Sequence, residues 1–223
     1  MTNIIEHKHI EEVLPYIESL KDHQDTLVLF DLDDVLVNPK GQLGSFRWWE
    51  KRLNELQQSG VPLEKALAQL DNFFVKVQPH LSYALIEPST QSIFERIQKT
   101  GVTIMGLTGR PEGSDLLTHK QLGDLGVRFE SASSIVYCNG GCKGKYLQEA
   151  LTRSSFKPKR IIFIDDVLKN ITAVQEMLQK TYPDIDFLGV HYTHVNSFTT
   201  FDAAQAEREL QGMQQKLGEQ ITV

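Results

Sequence analysis

Cysteine is almost missing from this chain: Cys138 and Cys142 are the two it has in 223 residues. Two thiols cannot build a disulfide framework, and without suitably spaced partners they do not make a structural zinc site. Separated by Asn139-Gly140-Gly141, they read as incidental, reduced thiols, which suits a reducing compartment. Long apolar runs are missing too. No stretch approaches the roughly 20 residues of a membrane span. The N-terminal stretch through His7-Lys8-His9 lacks the apolar centre of a signal peptide. These absences predict a cytoplasmic protein. Positive charge is in short supply, with 23 Lys and Arg against 29 Asp and Glu and a formal net charge of -6. Nucleic acid and an anionic membrane are therefore poor candidates for the main partner. The acids are scattered, giving a mildly acidic surface and not a tail. Repeats and low-complexity segments are absent, and nothing in the sequence signals an oligomeric state.

What the chain does have is a run from Thr26 to Phe30 of strand-forming residues that ends in Asp31-Leu32-Asp33-Asp34. Such an unbroken apolar segment predicts a buried parallel strand. With that run as Leu27–Phe30, four core strands are predicted, the others at Val102–Leu107, Ser134–Tyr137 and Arg160–Ile164, and a fifth, weaker one at Phe187–His191. Apolar residues at helical spacing between them predict helices at Pro88–Lys99, Ser114–Leu125, Lys143–Leu151, Val167–Leu178 and Phe201–Leu217, with another at Ile10–Leu20 before the first strand. The alternation predicts an α/β fold, a Rossmann-like doubly wound parallel sheet. One interval breaks it. About fifty residues separate the first strand from the Pro88 helix, too many for a simple crossover. They hold two helical stretches, Phe46–Gln57 and Leu63–Phe74, punctuated by Ser59-Gly60-Val61-Pro62. Residues 38–83 are thus expected to form a small inserted α-helical cap on a core made of residues 1–37 and 84–223.

In a doubly wound sheet the carboxyl ends of the strands converge on one crevice. Those ends supply Asp31 and Asp33, then Thr108-Gly109-Arg110, then Lys143 and Lys145 after the third strand, then Asp165-Asp166. Two unit charges about 4 Å apart repel by roughly 4 kcal/mol at an effective dielectric near 20, so clustered carboxylates call for a cation. Carboxylate oxygens suit Mg²⁺, which keeps positions for water and phosphate. A hydroxyl, backbone N–H groups and an ammonium can bind phosphoryl oxygens.

Asp31-Leu32-Asp33-Asp34-Val35-Leu36, Leu107-Thr108-Gly109-Arg110, Lys143-Gly144 and Ile164-Asp165-Asp166 occur in the order of four motifs of the haloacid dehalogenase superfamily. The chain resembles the phosphatase-like majority of that superfamily, in a bacterial branch with an α-helical cap after the first strand. The resemblance implies a Mg²⁺-dependent phosphomonoester hydrolase acting on a small molecule. It makes Asp31 the nucleophile, giving an aspartyl-phosphate, and Asp33 the acid and base. It gives the metal to Asp31, the backbone carbonyl of Asp33, and Asp166, with Asp165 as a second candidate. Thr108, Gly109 and Lys143 would hold the phosphoryl group, and the cation beside Asp31 is expected to lower its pKa.

Several residues carry two readings. Asp34 has no role of its own in the family pattern and reads as solvated or structural. Asn170 stands where a second acid often sits. Lys145 competes with Lys143, whose Lys-Gly spacing at a helix start favours it. Arg110 either reaches a substrate anion or pairs with a neighbouring acid. Arg47 and Trp48 are candidate substrate contacts on the insertion, although such aromatics more often pack a small cap, as Phe46, Trp49, Phe73 and Phe74 would. His191 and His194, three apart near the fifth strand, are poorly placed to share a metal. The rival to an enzyme is a catalytically weak phosphate-binding protein or a phospho-switch that keeps the site.

Overall fold

The computed structural model describes residues 4–197, 200–218 and 220–221. Its elements, in chain order, are β1 (Ile4–His7), α1 (Leu14–Glu18), β2 (Thr26–Phe30), β3 (Val37–Pro39), α2 (Phe46–Gln58), α3 (Leu63–Val77), β4 (Tyr83–Leu85), α4 (Thr90–Lys99), β5 (Thr103–Thr108), α5 (Asp115–Asp124), β6 (Ile135–Tyr137), α6 (Lys143–Arg153), β7 (Arg160–Asp165), α7 (Leu168–Thr181), β8 (Asp186–Tyr192) and α8 (Ala203–Leu217). Six strands form one sheet in the order β1-β8-β7-β2-β5-β6, and every pairing in it is parallel. The protein is therefore a Rossmann-like α/β fold.

β2 lies at the centre, and alternation of its side chains explains why it is apolar without a break. Val28 and Phe30 pack on one face with Ile162, Ile164, Ile17, Ile93, Phe94, Ile97 and Leu122. Leu27 and Leu29 pack on the other with Ile161, Phe163, Leu147, Leu151, Ile171, Val174 and Leu178. Burying a side chain such as Phe30 contributes about 1.5–3 kcal/mol. Close packing of α6 on α7 depends on Gly144, where a Cβ would lie 2.5 Å from the Ala173 carbonyl oxygen.

The structure departs from expectation in three places. Ile4–His7 is a strand, paired parallel to β8 at the sheet edge with Ile4 level with Gly189. The predicted Ile10–Leu20 helix is a 3₁₀ turn, Ile10–Val13, followed by the short α1. β3 and β4 form a separate antiparallel ribbon, Val37 opposite Leu85 and Pro39 opposite Tyr83, through which the chain enters and leaves the α2–α3 hairpin. That hairpin does not pack only on itself. Trp48, Leu70, Phe73 and Val77 share a cluster with Leu43, Ile221 and, from α8, Ala206 and Leu210. Arg52 also pairs with Glu207, and Glu209 Oε2 accepts the N–H groups of Gln42 and Leu43.

Candidate active site

β2 delivers Asp31 to the carboxyl edge of the sheet, and the Asp31 N–H still donates to the Ile164 carbonyl of β7 at 2.9 Å. Backbone pairing therefore fixes the carboxylate before any ligand arrives. Its Oδ1 accepts the Leu32 N–H at 2.7 Å, and its Oδ2 lies 2.8 Å from Lys143 Nζ. The same ammonium, 3% exposed, is 2.7 Å from Asp165 Oδ2. Lys143 thus bridges β2 and β7 from the first turn of α6, while Lys145 is exposed.

Asp165 is fully engaged. Its Oδ1 accepts the Val167 N–H at 2.8 Å and Asn170 Nδ2 at 3.0 Å, so Asn170 orients this acid. Asp166 is the less buried neighbour. Carboxylate oxygens of Asp31, Asp165 and Asp166 lie within 4.8 Å of one another, a group that could hold a metal ion. One ammonium does not balance three carboxylates. Burial pushes Asp31 up to about 7, with Lys143 opposing and Asp165 and Asp33 adding to the rise. The expected low pKa is corrected accordingly: desolvation outweighs the single lysine. Asp166 is raised well above the usual carboxylate range by burial and then by Asp165, Asp31 and Asp34.

Beyond Asp31 the chain turns sharply. The N–H groups of Leu36 and Val37 both donate to the Leu32 carbonyl, and the Asp34 N–H donates to Val37. Asp34 sits in the left-handed region at φ 62°, an uncommon conformation for a residue with a side chain. It is not solvated. Its carboxyl is buried and raised to about 7 by desolvation and by Asp33, with Arg47 opposing. Its charge bears on Asp166, and of the two readings of Asp34, solvated or structural, the structural one fits its burial.

Asp33 meets Arg110. Arg110 Nε donates to Oδ2 at 2.8 Å and Nη2 to Oδ1 at 2.7 Å. The guanidinium is 3% exposed, with Nη1 donating to Thr118 Oγ1 and Gln121 Oε1 and the Tyr83 ring 4.9 Å away. Of the two readings of Arg110, pairing with a neighbouring acid is the one the structure shows, and the substrate contact is corrected: its donors are spent on Asp33, Thr118 and Gln121. Thr108 ends β5 fully buried, its Oγ1 accepting the Arg110 N–H at 3.2 Å. Gly109 is exposed, and its carbonyl accepts the Gly140 N–H at 2.8 Å, tying the loops after β5 and β6.

The hairpin reaches these loops. A Cβ at Gly140, whose φ is +65°, would lie 3.2 Å from Trp49 Cζ2 and 3.1 Å from Leu67 Cδ2. Trp48 is 2% exposed and stacks on Phe73 at 4.8 Å. Its assignment as a substrate contact is corrected, because it packs the hairpin interior. Arg47 Nη2 donates to the Val195 carbonyl at 3.4 Å. The cysteines stay apart as free thiols, Cys138 buried and Cys142 exposed.

Fold and site together define a parallel α/β protein with a lysine-bridged acidic cluster at its strand ends. The chain belongs to the family described as "Protein of unknown function (DUF2608)", which matches residues 6–139 and 132–221. It is 29% identical over 188 residues to a Chlamydia pneumoniae protein, covering 78% of this chain and 71% of that one. It is 25% identical over 205 residues to one from Chlamydia trachomatis, covering 86% and 77%. Both carry the name "Putative outer membrane protein". The expectation of a cytoplasmic protein is corrected by those names, although no helix among the described residues is long and apolar enough to cross a membrane. Among solved structures, the chain is similar to a haloacid dehalogenase-like hydrolase from Streptococcus pneumoniae, at 14% identity and a TM-score of 0.43, over 76% of this chain and 95% of that one.

Proposed function

We propose that this chain hydrolyses the phosphate monoester of a small molecule, with Asp31 as nucleophile. The observation that carries the reading is Lys143 Nζ held between Asp31 Oδ2 and Asp165 Oδ2, beside the further carboxylate of Asp166. The order of the four motifs, which is that of haloacid dehalogenase-type phosphatases, supports it. The all-oxygen donor set and its uncompensated charge fit Mg²⁺. Asp31, Asp166 and the backbone carbonyl of Asp33 would hold the ion, and Asp165 serves Lys143. When bound, Mg²⁺ would neutralise the acids and draw phosphoryl oxygens toward Asp31.

The residues divide the work as follows. Asp31 Oδ attacks phosphorus, the bond to the ester oxygen breaks, and an aspartyl-phosphate forms. Lys143, the Thr108 hydroxyl and the Gly109 N–H hold the phosphoryl oxygens. Asp33 gives a proton to the leaving oxygen and takes one from the water that attacks the aspartyl-phosphate. Residues 38–83 act as a cap, on which Arg47, while donating to the Val195 carbonyl, is the residue we assign to meet a substrate anion. The chlamydial names support a place at the cell envelope for this activity, which fractionation with envelope markers would test.

One observation favours a second reading. Both oxygens of Asp33 are held by Arg110, so proton transfer requires Arg110 to release at least one of them. A protein that binds phosphate and turns it over poorly would keep such a clamp. Phosphate release from a panel of small esters and p-nitrophenyl phosphate, with Mg²⁺, separates the two. Steady turnover that Asp31→Asn lowers by several orders of magnitude, at an unchanged circular dichroism spectrum, is the expected result. Binding without turnover in the parent, with turnover gained in Arg110→Gln, would establish the weak-binding reading instead.

A further inference from the structure

A second cluster of ligand-type groups lies on the same edge of the sheet, at its far side. His9 follows β1, His194 follows β8, and Glu87 follows β4 where the chain returns from the hairpin. One ligand atom from each of these residues lies within 4.8 Å of the other two. No part of the proposed phosphatase chemistry uses them. We propose that His9, Glu87 and His194 form a site for a borderline divalent transition metal, represented by Zn²⁺.

The carboxylate is built for that task. Glu87 is buried, and its Oε1 accepts the Tyr192 hydroxyl at 2.5 Å and the Ile10 N–H at 2.7 Å. Both donors fix the plane of the carboxyl group and leave Oε2 facing the two imidazoles. Second-sphere partners of this kind orient metal ligands. His9 Nδ1 lies 2.8 Å from Oε2 and His194 Nδ1 3.7 Å from it. A tetrahedral Zn²⁺ with bonds of about 2.0–2.1 Å sets its ligand atoms about 3.3 Å apart, between those two values. Both imidazoles thus converge on Oε2, His9 within hydrogen-bond reach of it and His194 just beyond. His194 is held in place by stacking on Tyr192 at 5.9 Å with an interplanar angle of 12°. Its Nδ1 also lies 3.2 Å from the Lys8 carbonyl oxygen, a contact that ligation through this nitrogen would replace.

Two imidazoles and one carboxylate suit Zn²⁺ far better than Mg²⁺, and three protein ligands leave a coordination position for water. Location suggests the consequence. The ion would clasp the N-terminal strand, the stalk of the hairpin and the loop after β8, whose Val195 carbonyl accepts from Arg47 of α2.

The test uses the full chain without a histidine tag, stripped of metal and then given excess Mg²⁺ to cover the acidic cluster. Titration with Zn²⁺ should show one equivalent bound, and Co²⁺ should give the visible absorption of a low-coordinate nitrogen-containing site. His9→Ala and His194→Ala should each weaken Zn²⁺ binding at least tenfold, while His191→Ala does not. Tyr192→Phe, which removes a donor to Glu87, should weaken it about tenfold. Zn²⁺ should raise the melting temperature of the parent and not of His9→Ala. Failure of the parent to bind Zn²⁺ beside Mg²⁺ would overturn the proposal, as would unchanged binding in both alanine variants with native circular dichroism.

Discussion

At the scale of single residues, Lys143 shows how burial and charge act together. Its ammonium is the one cation between the buried acids Asp31 and Asp165, and those neighbours raise its own pKa in spite of desolvation. Lys143→Met would leave two carboxylates facing each other without compensation. Removing one partner of a buried pair costs about 3–5 kcal/mol, so urea unfolding without metal should show a loss of that order. Stability equal to the parent would mean that the acids take up protons at little cost. Much of this cluster was legible in the sequence, because strand ends fix where Asp31, Thr108, Lys143 and Asp165 arrive. That Arg110 pairs with an acid was one of its two readings, but that the acid is Asp33, and that Asp34 is buried, were not legible. Both depend on where side chains point after the turn at Asp34, and a left-handed backbone at a non-glycine residue leaves no trace in composition.

Among the elements, the helices apart from Ile10–Leu20 were readable from their apolar period, and α2 and α3 begin at the expected Phe46 and Leu63. β1, β3 and β4 are short and lie outside the strand–helix alternation that made the equally short β6 legible, which is why they escaped notice. The attachment of α8 to the hairpin was equally hidden, since amphipathic spacing says which face is apolar and not what will cover it. Excising the hairpin would therefore uncover Leu210 as well as the loop at Gly140. On α3, burial raises the Asp71 carboxyl to about 6. A folded-state pKa above the unfolded one gives stability that is complete below pH about 4 and is lost as pH rises through about 6. Asp71→Asn removes that dependence, so its melting temperature should gain on the parent between pH 4.5 and 7.5. A difference that stays the same at both pH values would show that Asp71 is effectively solvated.

For the molecule as a whole, the proposed function makes turnover depend on the choice of ion at the acidic edge. Under the proposed function, EDTA should abolish phosphate release and Mg²⁺ should restore it, whereas Ca²⁺ should not. Calcium's longer bonds and higher coordination number displace the nucleophile from in-line attack. Activity unaffected by EDTA would remove the metal from the mechanism.

The pairing of β1 with β8 also constrains the order in which the protein folds. Ile4 and Gly189 are register partners, so this edge closes a loop that spans most of the chain. Closing it brings only a few bonds in return for a large loss of chain entropy. The central strands β2, β5 and β7 pair over shorter separations and carry the cores of both faces. They should form first, leaving the first residues of the sheet to dock last. During refolding, pulsed hydrogen exchange should protect the amides of Leu27–Phe30 in an earlier phase than those of Ile5–His7. Simultaneous protection would instead place the N-terminal strand within the folding nucleus.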